Sequence, residues 1–247
     1  MRSTSAGPAK RAEDAPTVPM PYYVSPEQLM RDKADYARKG IARGKSVLAL
    51  EHVDGILFMA ENPSATLYKI SEIYDRIAFA GVGKFNEFEQ LRIGGIRLVD
   101  LKGYSYSRDD VTAKSLANAY SQTLGNIFTA EVKPYECEIL VAAVGETTGS
   151  NELFHILYDG SLSDRTGWVA MGGQSEELSN YLHEHYPSDY PAKVPDLAAA
   201  VGLGHDALVA IEERDLPGES LEVALLDRTR GRRKFARLRG EALARLL

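Results

Sequence analysis

The sequence has a single cysteine, Cys137, in 247 residues, so no disulfide can form within the chain. That usage fits a reducing compartment and predicts a cytoplasmic protein. No uniformly apolar run approaches the roughly 18 residues a membrane helix needs, which predicts a soluble chain. Residues 1–20 contain no aromatic residue and no apolar stretch between charged and small-residue flanks, so they do not read as a secretory signal. With Pro8, Pro16 and Pro19 and nothing to build a core, residues 1–21 are expected to be a mobile tail ahead of a domain at 22–247. An excess of positive charge is also missing. The formal charge of -6 gives no support for general nucleic-acid binding.

Metal and phosphate chemistry is thin as well. Of His52, His155, His183, His185 and His205, only His183 and His185 are close. A spacing of two turns them to different faces of a helix, so all five read as surface or satisfied histidines. Gly81-Val82-Gly83 and Gly172-Gly173 sit at strand-to-helix junctions but carry neither the Walker lysine and hydroxyl nor the dinucleotide fingerprint, and read as tight turns. Cys137 lies inside an apolar run, the place of a small packed residue rather than a nucleophile.

What is present is a substantial core and strong punctuation. With 44% hydrophobic residues, the chain has the apolar content for one large domain. Ser25 is placed to cap a helix, Pro26 suits its first position, and Gln28 is spaced to complete a capping box. Arg38 and Lys39 before Gly40 suit the C-terminal end. Leu29, Met30, Ala34 and Ala37 form only a thin apolar stripe, so this helix needs a neighbour, its own domain or another subunit. Strands are expected at 46–50 and 56–60 around an Asp54-Gly55 hairpin signal. A strand near 77–82, a short helix at 84–93 and a long helix at 111–128 follow. Next come strands near 135–144, 152–158 and 167–171, then helices at 174–185 and 196–213. The end reads as strand 220–227, an Arg/Gly turn, strand 233–238 and a short helix at 240–246. Two antiparallel sheets face to face, with helices on both outer faces, satisfy this order.

Ser25-Pro26, the short helix with Tyr36-Ala37-Arg38, the basic Gly40–Gly44 link and the apolar strand resemble the front of a proteasome alpha subunit. Glu61-Asn62-Pro63-Ser64, Lys69-Ile70-Ser71-Glu72-Ile73-Tyr74-Asp75-Arg76 and Ala80-Gly81-Val82-Gly83 resemble the actinobacterial form, and the resemblance runs from about Pro21 to the C-terminus. It implies an α+β, four-layer αββα sandwich, the N-terminal-nucleophile hydrolase fold, with an added N-terminal helix and no cofactor. In catalytic relatives the nucleophile is a threonine at a new N-terminus, whose own amine serves as base. Strand matching puts Lys45 in that place, Glu61 at the catalytic aspartate and Pro63 at the arginine after it, which implies a non-catalytic subunit.

The resemblance further implies seven-membered rings with neighbouring alpha subunits, contact with catalytic beta subunits, and docking of an ATPase ring through its C-terminal tails. The helices at 26–39 and 111–128 are the candidates for ring and beta contacts. Lys69 matches the family's pocket lysine, which meets the carboxylate of an activator tail; Gly44 and Lys45 are expected in the same pocket. Pro26 and Tyr36 match the family's turn and tyrosine, and with Tyr22 and Tyr23 form the candidate gate. The archaeal Tyr-Asp-Arg gate motif is missing. Two other readings remain open: a self-processing amidohydrolase using Ser46 after cleavage behind Lys45, and nucleic-acid binding through Arg228, Arg230, Arg232, Arg233, Lys234, Arg237 and Arg239. The plain reading of those basic residues is a solvated strand edge.

Overall fold

A computed structural model of the chain describes residues 25–247. The expected tail 1–21, and Tyr22 and Tyr23, lie outside the described residues. The elements are α1 (Pro26–Ile41), β1 (Val47–His52), β2 (Gly55–Glu61), β3 (Ile70–Tyr74), β4 (Ile77–Gly83), α2 (Phe85–Ser105), α3 (Ala113–Ala130), β5 (Cys137–Ala143), β6 (Glu152–Ile156), β7 (Leu162–Arg165) and β8 (Trp168–Met171). They continue with α4 (Ser175–His185), α5 (Leu197–Glu212), β9 (Leu221–Asp227), β10 (Phe235–Leu238) and α6 (Glu241–Ala244).

The strands form two antiparallel sheets, one ordered β10-β9-β2-β1-β8 and the other β3-β4-β5-β6-β7. Strand alternation sorts their side chains into three cores. Val47, Ala49, Ile56, Phe58 and Ala60 point between the sheets, where they meet Ala78, Ala80, Leu140 and Ala142. Leu48, Leu50, Leu57 and Met59 point the other way, under α4 and α5. Ile139, Val141 and Phe79 back the second sheet against α2 and α3. Strands covered on both faces read as near-continuous apolar runs, and β1, β2 and β5 are buried throughout, with Glu51, His52, Glu61 and Glu138 their buried polar exceptions. The result is the αββα sandwich implied by the resemblance.

Several boundaries differ from the sequence reading, for identifiable reasons. The helix expected at 84–93 runs on to Ser105. Leu98 and Leu101 on its solvent side blur the apolar stripe, and the Gly94-Gly95 pair does not stop it. Gly95 is where α2 crosses Tyr120 of α3, and a methyl there would overlap the Tyr120 hydroxyl. Strands β3 and β7 were not expected; they are the two edges of their sheet, short and partly polar because only one side is paired. In α1, Ser25 Oγ accepts the Gln28 N–H at 3.2 Å, but the Gln28 side chain donates to Asp32 rather than returning to close a capping box. Gly40 lies inside this helix, where any side chain would strike Glu136.

Helix α1 docks on its own sandwich. Ala37 and Ile41 enter the core between the sheets. Buried Lys33 donates to the Phe128 and Glu131 carbonyls, at 3.0 and 2.7 Å, at the C-terminal end of α3. A lysine there supplies hydrogen bonds and charge where a helix leaves carbonyls unpaired.

Candidate functional site

Lys69 ends the loop between β2 and β3. The loop is tied within itself, by Ser64 N–H to Asn62 Oδ1 at 3.1 Å and the Tyr68 hydroxyl to Ala65 O at 2.9 Å, and to the segment before β9, by the Asn62 amide to Ser220 O at 2.8 Å. The Lys69 ammonium donates to the carbonyls of Lys45, at 2.8 Å, and Glu61, at 3.1 Å. Two of its three N–H groups are thus used, and the third has no partner among the described residues. Burial depresses its pKa to about 8, opposed by Glu222 and Glu61.

Beside it is a small ion lattice. Lys45 Nζ pairs with Glu212 and lies 3.3 Å from Glu61 Oε2, while Arg214 pairs with Glu61 and sits 3.6 Å from Glu212. The bond to Glu212 raises the Lys45 pKa against the effect of burial. Burial alone would raise that of Glu61, but Arg214 and Lys45 outweigh it and hold the carboxyl below its ordinary value. Lys45, Lys69 and Arg214 thus share the field of Glu61 and Glu212, and Lys69 feels Glu222 as well.

Lys69 and Lys45 are therefore neighbours, and Lys45 and Glu61, matched to the catalytic pair of the fold, do face each other. Gly44 sits behind them, its carbonyl accepting from Gly173 N–H at 3.3 Å; a methyl on it would press on Gly83 and Val82. Ser46 is 2% exposed, and its Oγ accepts from the Gln174 amide at 3.3 Å. Pro26 and Tyr36 are not brought to this cluster: Pro26 opens α1, and Tyr36 lies under Lys133, 5.6 Å from its ring centroid.

Three participants have no counterpart in the sequence reading: Glu212 and Arg214 of the ion lattice, and Glu222. Glu222 of β9 is buried and accepts from the Lys69 and Ile70 amides, Asn62 and Arg237. A lone acid in the apolar run Leu221–Leu226 was the available signal. Arg237 had been grouped with the C-terminal basic residues, most of which make internal contacts. Arg233 pairs with Glu72, Arg232 with Asp75, and Arg228 with Asn151. Strand β10 is an edge, as the plain reading of that cluster requires. Three histidines are likewise engaged, His155 with Glu138, His205 with Leu216 O and His185 with Tyr181 O, whereas buried His52 accepts from the Asp54 amide but leaves its Nε2 without a partner among the described residues, contrary to the expectation of a satisfied histidine. Cys137 is fully buried, which drives its thiol pKa upward.

With the sandwich and this lysine cluster described, comparison with known proteins is direct. Residues 41–226 match the family described as proteasome subunit. The proteasome subunit alpha of Frankia alni is 56% identical over 237 residues, covering 92% of this chain and 96% of that protein. The alpha subunit of Kineococcus radiotolerans is 55% identical over 230 residues, covering 92% and 97%. That of Thermobifida fusca is 53% identical over 228 residues, covering 92% and 90%. The chain belongs to the proteasome family, in its alpha branch. Among the described residues no helix is long and apolar enough to cross a membrane.

Proposed function

We propose that this chain forms the outer, non-catalytic rings of a cytoplasmic proteasome core particle, seven copies to a ring. Beta subunits cleave the substrate. Residues 1–21 of each copy close the axial pore, and Lys69 receives the C-terminal carboxylate of an activating ATPase ring. The observation carrying this reading is the Lys69 ammonium, seated on the Lys45 and Glu61 carbonyls at the positions where catalytic relatives place their machinery. A lysine holds this former reaction centre and leaves one N–H for an incoming anion, a role suited to a compact point charge on a flexible stem.

Head-to-tail ring contacts need two different patches on each copy. The exposed side of α1, the side of α3 away from its sheet, and Leu98, Leu101 and Tyr104 on the solvent side of α2 are available for the ring and beta contacts. Co-expression with the beta subunit tests the reading. Peptide and casein hydrolysis should be slow with the full-length chain and fast when it starts at Tyr22. Activity of this chain without a beta subunit would overturn it.

A further inference from the structure

Glu222 is the second residue of β9 and is buried in a strand that is otherwise apolar as far as Leu226. Burying a carboxylate is costly unless its lone pairs are filled. Here four donors fill them. Oε2 accepts from Lys69 N at 2.9 Å and Asn62 Nδ2 at 2.7 Å; Oε1 accepts from Ile70 N at 3.0 Å and from an Arg237 guanidinium nitrogen at 2.8 Å. Two of the donors are consecutive backbone amides where the chain enters β3. That strand is a sheet edge, paired only to β4, whose Gly81 amide donates to Lys69 O at 2.9 Å. The two sheets are thus joined at Lys69 by a side chain of one and the backbone of the other. Arg237, on β10, also donates to Ile70 O at 2.6 Å and stacks 4.0 Å from the Tyr68 ring centroid.

We infer that Glu222, braced by Arg237, is the positioning residue that holds Lys69 where its ammonium meets an incoming carboxylate. The inference rests on the reading of Lys69 as the docking lysine. A neutral amide cannot replace the acid, because either orientation of a glutamine turns its NH2 toward two donors. The acid has a second effect through space: its charge opposes the depression of the Lys69 pKa by burial. Glu61 and Glu212 act in the same direction, and Lys45 against it.

The test uses the intact particle of this chain with its beta subunits. The probe is a labelled peptide matching the C-terminus of the ATPase ring, as free acid and as C-terminal amide, followed by fluorescence anisotropy from about pH 6.5 to about pH 9. The wild-type particle should bind the acid and not the amide. Glu222→Gln should weaken acid binding about tenfold and move the alkaline limb of the curve to lower pH. Arg237→Lys keeps the charge but gives up one of two hydrogen bonds, and should weaken binding less. It carries the test if the glutamine variant does not assemble, and wild-type affinity in it would then overturn the inference. Wild-type affinity in Glu222→Gln would overturn it too, as would weaker binding with the alkaline limb unmoved, the mark of a purely structural role. A wild-type particle that binds acid and amide alike would remove the docking reading, and the inference with it.

Discussion

The Lys69 ammonium lies 2.8 Å from the carbonyl oxygen of Lys45, the residue that strand matching places where catalytic relatives carry their nucleophile. The side chain of Lys45 is drawn outward to Glu212 and Glu61, and its carbonyl anchors a second lysine.

Removing that anchored charge tests the docking proposal. Lys69→Ala should still assemble into rings but lose ATPase-stimulated degradation. Truncating one partner of a desolvated charged pair costs about 2–5 kcal/mol, enough to empty a weakly held pocket. The ratio of stimulated to unstimulated casein hydrolysis is the readout, and an unchanged ratio would refute the assignment.

Docking should also depend on pH. Burial sets the Lys69 pKa at about 8, with Glu222, Glu61 and Glu212 opposing it and Lys45 reinforcing it. Tail affinity should be flat below that value and fall by about tenfold per pH unit above it, as the ammonium is lost. Folding responds with the opposite sign. Between pH 8 and the ordinary lysine value of 10.5, the unfolded chain binds more protons at this group than the folded one, so its contribution to stability rises with pH. Anisotropy titrations and denaturant melts across that range measure the two slopes.

The two adjacent glycines of α2 should behave oppositely. Gly94 faces open space, so Gly94→Ala should stabilise by about 0.5–1 kcal/mol through helix propensity. At Gly95 a methyl meets the Tyr120 hydroxyl, and Gly95→Ala should destabilise by about 1–3 kcal/mol. That hydroxyl is buried without a hydrogen-bond partner, so adding Tyr120→Phe should recover part of the loss. Thermal melts of the three variants and the double variant decide it.

Lys33→Met keeps the stem and deletes the cap on α3. It should cost about 1–3 kcal/mol by leaving the Phe128 and Glu131 carbonyls without their donor. Urea unfolding of the isolated subunit measures the loss, and a change within error would mean that water replaces the ammonium.

The front helix is legible because it carries strong local punctuation, whereas the site residues are placed through the family pattern. Ser25 and Pro26 announce α1, and matching the strands to the family puts Lys45 and Glu61 at its nucleophile and aspartate positions; that their charges meet, at 3.3 Å, is a finding of the structure. Lys69 was named through the family pattern alone; no local rule distinguishes it from a surface lysine. Glu222 carries no such signature and Arg237 reads only as one of the C-terminal basic residues, because their partners are remote: Lys69 is 153 residues from Glu222 and Ile70 is 167 from Arg237. A buried acid looks like any other until the chain closes around it.

The sequence by itself determined most of the order of elements, the edge strands β3 and β7 excepted, the pairing of two sheets with helices outside, and the alpha-type start of the chain, since periodicity and capping act over a few residues. Only the tertiary structure decided which cations meet which carboxylates, that Gly94-Gly95 is a helix crossing rather than a helix end, and that Lys69 is held from both sheets at once. Those outcomes depend on distances between segments far apart in the chain, which packing sets and local propensity does not contain.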